Sequence, residues 1–362
     1  MKLMLVVGVR PHFVKISVLL RMLEDHFDVV LVHTGQHYDH NLSDIFFSDL
    51  KIRRPDYHIR LDYNQTGEQL FAIGLEIAKL INKEKPEFLL VIGDSNTPFI
   101  GALAAYHSNV PVGHIEAGVR NFDDNMVEET NRVFIDRVSA VHFAQTHREV
   151  SNLENEGIKK NVHCVGDLLL ETILKNQSLP KQQNGALKGL GLDPKKYVLL
   201  TVHRKENTDN IYNLNRIFDC LGRIKERLIF PMHPRTKKAL QKNNLFEKIT
   251  SNKNITVLDP LSYPDILWAE KNSKYVITDS NGVQRESYFV HTPCIILRDS
   301  TEVLGTLKNS CSILTKNDPD ILLHSIDFYE SCPELVFDTV EFGDGNTSQY
   351  IAEILYEYLK EH

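Results

Sequence analysis

The sequence predicts an α/β protein of two doubly wound domains with a cleft between them. Three observations predict this. Short apolar runs bounded by polar turns alternate with amphipathic stretches, the pattern of parallel strands joined by crossover helices on both faces. The chain has 362 residues, too long for one compact core of ordinary size. The alternation breaks once, at 177–196, QSLPKQQNGALKGLGLDPKK, where Gly, Pro, Lys and Gln dominate and apolar periodicity nearly vanishes. That stretch reads as a linker or exposed connection.

The elements follow in order. Leu3 to Val7 is an apolar run closing on a glycine, a buried strand rather than a secretory leader, since no small-residue cleavage site follows. Phe13 to Leu23 has helical periodicity, and Val29 to Val32 is the next strand. Asn41 to Leu50 and Gly67 to Asn82 are predicted helices. Phe88 to Ile92, Val112 to Ile115, Val141 to Ala144 and Val162 to Val165 are strands; Thr97 to His107, Glu128 to Val138, Arg148 to Glu156 and Leu168 to Lys175 are the intervening helices. After the linker, Tyr197 to Val202, Leu228 to Pro231, Ile255 to Leu258, Tyr275 to Ile277, Cys294 to Leu297 and Ser312 to Leu314 are strands. Ile211 to Lys225, Thr236 to Asn243, Tyr263 to Lys271 and Val283 to Val290 are helical, and Ser348 to Lys360 is a final amphipathic helix. The expected domains are 1–176 and 197–347, with 348–362 packing back on the first.

Composition narrows the function. Hydrophobic residues at 42% and charged residues at 25% are usual for a globular protein, and no stretch approaches a membrane span. A net charge of −7 without a basic block argues against nucleic acid as partner. Five widely spaced cysteines with no CxxC pair fit reduced thiols in the cytoplasm. No HExxH occurs among the 16 histidines, and the glycine in HTGQH argues for a turn between His33 and His37, so no metal site is expected. GxGxxG is absent too, which removes the main support for a nicotinamide cofactor.

Ligands of doubly wound sheets sit outside the carboxyl ends of the strands, so the polar turns there are the candidate site. The most informative is Thr278 to Ser287, TDSNGVQRES, where a strand meets a polar turn and then a helix start. Gly282 is expected to make a tight turn, Asp279 and Ser280 to cap the helix, and Glu286 to reach ribose hydroxyls, with backbone N–H groups presented to phosphate. The first strand delivers Gly8, Arg10 and His12, with Lys15 one turn on; Arg10 and Lys15 are donors for phosphate or carboxylate. Asp94 follows the Phe88 strand, and Glu116 follows the Val112 strand among small and apolar neighbours. Glu128 and Arg132, four apart, share a helix face and can pair. The second domain adds His203, His233, Arg298 and Glu302 at strand ends. Asp94, Glu116 and Glu128 could meet His203 in the cleft, where close carboxylates push their pKa values apart to give one acid and one base. The chemistry indicated is acid–base catalysis on a nucleotide-activated small molecule.

In this order the motifs GVRPHFVK, HTGQHYD, GDSNT, GHIEAGVR, VEETNR, VHRKEN, HPRTK, TDSNGVQRES, RDSTE and FGDGNTS resemble the non-hydrolysing UDP-N-acetylglucosamine 2-epimerases, across nearly the whole chain. The likeness leans to the branch with archaeal enzymes and the epimerases of UDP-diacetamido-uronic acids. The resemblance implies two Rossmann-like domains of glycosyltransferase-B type, a homodimer, and interconversion of UDP-GlcNAc and UDP-ManNAc in the cytoplasm for polysaccharide or glycoconjugate precursors. It implies no nicotinamide and no metal. Carried over by position, Asp94, Glu116, Glu128 and His203 are catalytic. Arg10, Lys15, Arg132, His233, Ser280, Asn281, Gly282, Glu286 and Arg298 bind substrate, and Gln36 and His37 match part of a family site for an activating UDP-GlcNAc. The sequence departs from the family at His12 (usually Glu), Val127 (Pro), Asn281 (Gly), Arg285 (Glu) and Val303-Leu304-Gly305 (Arg-Pro-Glu). Asn281 is expected to tolerate a left-handed backbone. Other chemistries left open are epimerisation of a variant UDP-sugar, hydrolysis to UDP and free ManNAc, retaining glycosyl transfer, and nucleotide-sugar binding without catalysis.

Overall fold

The computed structural model describes residues 1–35, 47, 50–59, 66–175, 187–331 and 334–362, the side chains of Arg10 and Thr66 excepted. The expected helix Asn41 to Leu50 falls largely outside them; Gln36, His37, Cys332 and residues 177–186 fall wholly outside. The chain divides into two compact units, Met1–Lys175 with Val340–His362, and Asn176–Thr339.

The first unit is built on a parallel sheet of seven strands: β1 Lys2–Val7, β2 Asp28–His33, β3 Tyr57–His58, β4 Phe88–Ile92, β5 Val112–Ile115, β6 Val141–Ala144 and β7 Val162–Cys164. Their order is β3-β2-β1-β4-β5-β6-β7. The chain walks outward from β1 to β3, then returns to lay β4 on the other side of β1, with Val6 opposite Val91. That reversal is the switch point of the sheet, where the crevice for a ligand opens.

Both faces of the sheet are covered, so its central strands β1 and β4 are almost wholly apolar. Leu3, Leu5 and Val7 of β1 pack on one side with Phe13, Ile16 and Leu19 of the Arg10–Glu24 helix. Met4 and Val6 face the other side, with Ile73 and Ile77 of the Thr66–Glu84 helix and Ile100 of the Asn96–His107 helix.

The second unit repeats the plan with six parallel strands: β8 Tyr197–Thr201, β9 Arg227–Pro231, β10 Ile255–Leu258, β11 Val276–Thr278, β12 Cys294–Ile296 and β13 Ser312–Leu314. Their order is β10-β9-β8-β11-β12-β13. Its switch point lies between β8 and β11, where Thr201 is opposite Thr278 and their hydroxyls are 2.6 Å apart. Both units thus have the doubly wound α/β plan.

Several boundaries differ from expectation. The part of the expected linker from Leu187 onward belongs to the second unit's core: Leu187 and Leu192 are buried with Tyr197 and Leu199, a sparse apolar spacing that periodicity does not reveal. The helix expected to run to Lys225 stops at Leu221, before Gly222. The Pro319–Glu330 helix was missed, although Asp318 caps it through the Asp320 N–H at 2.8 Å and Pro319 opens it, a standard start signal.

The chain rejoins the first unit at Val340 rather than Ser348, because the Phe342 carbonyl accepts the Asp167 N–H at 2.8 Å. A Cβ on Gly343 would come within 2.9 Å of the Gly166 Cα, so the crossing requires glycine. Fully buried Glu171 then accepts the Ser348 N–H at 2.6 Å and anchors the start of the Thr347–Glu361 helix. Ile351, Ala352 and Leu355 of that helix enter the first unit's core. Leu355→Ala is therefore expected to lower unfolding stability by about 2–5 kcal/mol in urea denaturation. No change would mean that the helix is not part of the folded unit.

Candidate active site

In the first unit the site residues gather at the carboxyl ends of β1, β4 and β5. Glu116 follows β5 with a left-handed backbone, φ 70°. Its Oε1 is 2.6 Å from Lys15 Nζ, in a pair that is about nine-tenths buried on both sides. Gln145 Nε2 also donates to Oε1, at 3.1 Å. Lys15, expected to serve a phosphate or carboxylate of the ligand, thus serves an internal carboxylate. Its helix begins right after β1 and brings it to the β5 turn.

Across from this pair lies Gly93, φ 73°. A Cβ there would stand 3.3 Å from Glu116 Oε2 and 3.6 Å from His12 Nε2. Glycine at 93 thus leaves room for the second Glu116 oxygen. His12 is buried, and its Nδ1 accepts the Gly8 N–H at 3.3 Å, so its Nε2 side faces Gly93.

Asp94 does not cap the next helix. Its Oδ2 receives Arg132 Nε at 2.8 Å and Nη2 at 2.6 Å. The same guanidinium holds Glu129 Oε2 at 2.7 Å through Nη1, so the expected Glu128–Arg132 pairing is replaced by Glu129 at i,i+3. Glu129 is further fixed by the Asn121 and Phe122 N–H groups, at 2.9 and 3.0 Å. Glu128 is exposed on the first turn of the Val127–Val138 helix and has no hydrogen-bond or ion-pair partner among the described residues. The carboxylates therefore differ in kind: Glu116 and Asp94 each have a cation, and Glu128 stands open. Arg10 opens the helix after β1, and its side chain lies outside the description.

In the second unit the site residues sit at the β8/β11 switch point. Asp279, expected to cap the helix, instead turns to the β8 loop. It is fully buried and accepts the His203 N–H at 3.0 Å, the Arg204 N–H at 2.9 Å and Asn207 Nδ2 at 3.0 Å. His203 Nδ1 is 3.6 Å from Asp279 Oδ1, and its ring centroid is 5.4 Å from that of His233. His233 caps the Pro234–Lys242 helix through Nδ1, leaving Nε2 as its outer nitrogen.

Ser280 caps the Asn281–Phe289 helix, its Oγ accepting the Val283 N–H at 3.4 Å. Gly282 does not form a tight turn. It is the second residue of this helix, and a Cβ would meet only Ser280 Oγ, at 3.7 Å. Its contribution is access. The Asn281 and Gly282 N–H groups have no acceptor among the described residues, and such first-turn donors at a positive helix end bind anions.

Asn281 likewise opens the helix with no positive φ, so the left-handed reading fails there. Its Nδ2 donates to Glu302 Oε2 at 2.7 Å, and its Oδ1 accepts from Arg298. Arg298 Nη1 also holds Glu302 Oε2 at 2.8 Å. The side chain that departs from the family is thereby turned into an internal network, and Arg298 is committed to that network too. Glu286 is buried on the same helix.

Sequence reasoning missed the partners of these groups. Gln145 and the capping of the β8 loop by Asp279 depend on pairings distant in sequence, and the choice of Glu129 over Glu128 depends on the phase of the helix. No helix of the described residues is long and apolar enough to cross a membrane.

The whole-chain comparisons agree with one another. The sequence profile described as UDP-N-acetylglucosamine 2-epimerase matches residues 21–356. A Methanococcus maripaludis protein named UDP-N-acetylglucosamine 2-epimerase homolog is 39% identical, over 98% of this chain and 99% of its own length. The Pseudomonas aeruginosa UDP-2,3-diacetamido-2,3-dideoxy-D-glucuronate 2-epimerase is 34% identical, over 98% and 99%. The crystal structure of Methanocaldococcus jannaschii UDP-GlcNAc 2-epimerase in complex with UDP-GlcNAc and UDP superposes with a TM-score of 0.91 at 36% identity, covering 99% of this chain and 100% of that one. Similarity of this extent, in sequence and in fold, places the chain in the UDP-N-acetylglucosamine 2-epimerase family.

Proposed function

We propose that the chain is a non-hydrolysing UDP-N-acetylglucosamine 2-epimerase of the cytoplasm, interconverting UDP-GlcNAc and UDP-ManNAc for polysaccharide or glycoconjugate precursors. The observation that carries this reading is the pair of ion-paired carboxylates, Glu116 with Lys15 and Asp94 with Arg132, on adjacent strand ends beside an open Glu128. A base among them takes the C2 proton; the C–H electron pair forms the C1–C2 double bond, and the C1–O bond breaks with its pair leaving on UDP. Reprotonation at C2 from the opposite face and return of UDP to C1 complete the inversion. The sequence is redox-neutral and needs a proton donor and acceptor on opposite faces.

In this reading the second unit holds UDP. The Asn281 and Gly282 N–H groups take phosphate, Glu286 takes the ribose, and His203 and His233 serve the diphosphate and the leaving oxygen. Arg10 contacts phosphate. Arg298 acts behind Asn281, and Lys15 and Arg132 hold the catalytic carboxylates.

A second reading, the same inversion on a diacetamido-uronic acid sugar, is favoured by the 34% identical relative and by His12 beside Glu116, where a histidine can donate to an acidic sugar. Proton NMR in deuterated water decides between them. Exchange at C2 with UDP-ManNAc appearing from UDP-GlcNAc supports the first. Exchange only with the diacetamido-uronate moves the reading to the second. Free ManNAc and UDP would mean hydrolysis.

We further propose a homodimer. The Thr66–Glu84 helix exposes Phe71 at 73% and Leu75 at 60%, one turn apart on one stripe. The neighbouring Asn96–His107 helix exposes Tyr106. Phe71→Asp with Leu75→Lys is expected to convert a dimer to a monomer in light scattering; an unchanged mass would remove this face as the interface.

A further inference from the structure

Two turns carry catalytic carboxylates in the first unit, and one buried ion pair attaches to both. Asp136, on the Val127–Val138 helix, is 1% exposed. Its Oδ2 accepts the Gly118 N–H at 3.0 Å, which fixes the turn that bears Glu116. Its Oδ1 is 2.6 Å from Nδ1 of fully buried His114 on β5. His114 Nε2 is 3.0 Å from the Gly93 carbonyl, which fixes the turn that bears Asp94. Arg120 Nη2 closes on Asp136 Oδ2 at 2.7 Å and reaches Glu156 through Nε at 2.6 Å.

The partners of this histidine are both acceptors. A backbone carbonyl only accepts, and an ionised carboxylate only accepts. Burial works against ionisation of Asp136, but the charges and hydrogen bonds of His114 and Arg120 outweigh it and hold its carboxyl below the ordinary carboxylate range. Both His114 ring nitrogens therefore face acceptors, Nδ1 the Asp136 carboxylate and Nε2 the Gly93 carbonyl. His142 does not share this role. Burial pushes its pKa down, and its Nε2 lies 2.7 Å from the Asp136 backbone carbonyl.

The turns themselves need such support. Glu116 at φ 70° is a glutamate in the left-handed region, between Gly93 at 73° and Gly118 at 78° on the two attached turns. A side-chain-bearing residue in such a conformation is strained and persists only where its surroundings fix it. A hydrogen bond on each flanking turn, both traced to one ion pair, does that.

We propose that His114, held between Asp136 and the Gly93 carbonyl, is the positioning residue that sets Asp94 and Glu116 against the same point of the substrate. The inference rests on the acid–base reading of those two carboxylates. His114→Gln keeps one N–H for the Gly93 carbonyl but turns an oxygen on Asp136. Loss of alignment at the reacting atoms costs about 100-fold. The expected result is that kcat falls by about that factor, with KM and UDP affinity within about twofold, the signature of an effect confined to the transition state. A folded variant with kcat within a few-fold of wild type overturns the proposal, as does a loss carried mainly by UDP affinity.

Should His114→Gln fail to fold, Arg120→Lys weakens the support of Asp136 while keeping the charge. There a lower kcat at constant KM supports the proposal, and an unchanged kcat overturns it. Absence of wild-type turnover on every UDP-sugar tried overturns the functional reading and this inference with it. Wild-type turnover with an unaffected variant overturns the inference alone.

Discussion

Glu116→Gln is expected to lower kcat on the order of 1,000-fold, the scale of losing a positioned acid–base group, while UDP binds nearly as before. The amide keeps the shape of the carboxylate and removes its charge and its capacity to take a proton. UDP binding is spared because most of its proposed ligands, from His203 to Glu286, belong to the other unit and Arg10 is left in place. The change also leaves the Lys15 ammonium, otherwise 2.6 Å from Glu116, facing an amide in buried surroundings. Breaking a buried pair costs about 3–5 kcal/mol, so rates should be compared at a temperature where circular dichroism shows the variant folded. Epimerisation followed by NMR and UDP binding by calorimetry check the two halves. Turnover within a few-fold of wild type would remove Glu116 from the chemistry.

Asp279→Ala is expected to lose UDP binding by more than about 100-fold and to destabilise the second unit. Asp279 is fully buried and fixes the β8 loop through two backbone N–H groups and Asn207. Hydrogen bonds to a charged group contribute about 1.5–3 kcal/mol each, and the orphaned N–H groups add their own desolvation cost. The His203 loop would then lose its position beside His233. Urea denaturation and UDP calorimetry measure the two losses separately. A stable variant that binds UDP as wild type would show that the loop is held by other contacts.

The sites were legible to different degrees, for physical reasons. Polar residues at strand ends are announced locally, because a strand closing on Gly8, Gly93 or Ser280 must turn. The role of each was not local. Lys15 read as a donor to a phosphate or carboxylate of the ligand, and β5 brought Glu116 to it. Asp279 read as a cap until β8 lay beside β11. Arg132 has two acidic neighbours in sequence, and the helix phase selects Glu129 while Asp94 arrives from another strand. His114 and Asp136 carried no local signal, since a histidine inside an apolar strand reads as an ordinary core residue.

By itself the sequence determined the alternation of strands and helices in each half, the apolar character of strands covered on both faces, and the turn chemistry at their ends. These follow from periodicity and backbone preference, which act over a few residues. Only the tertiary structure decided which turns became neighbours. Strand order, β1 beside β4 and β8 beside β11, is set by packing between segments far apart in the chain. The same packing gave each carboxylate its cation, turned Asn281 toward Glu302, and buried His114 against the Gly93 carbonyl.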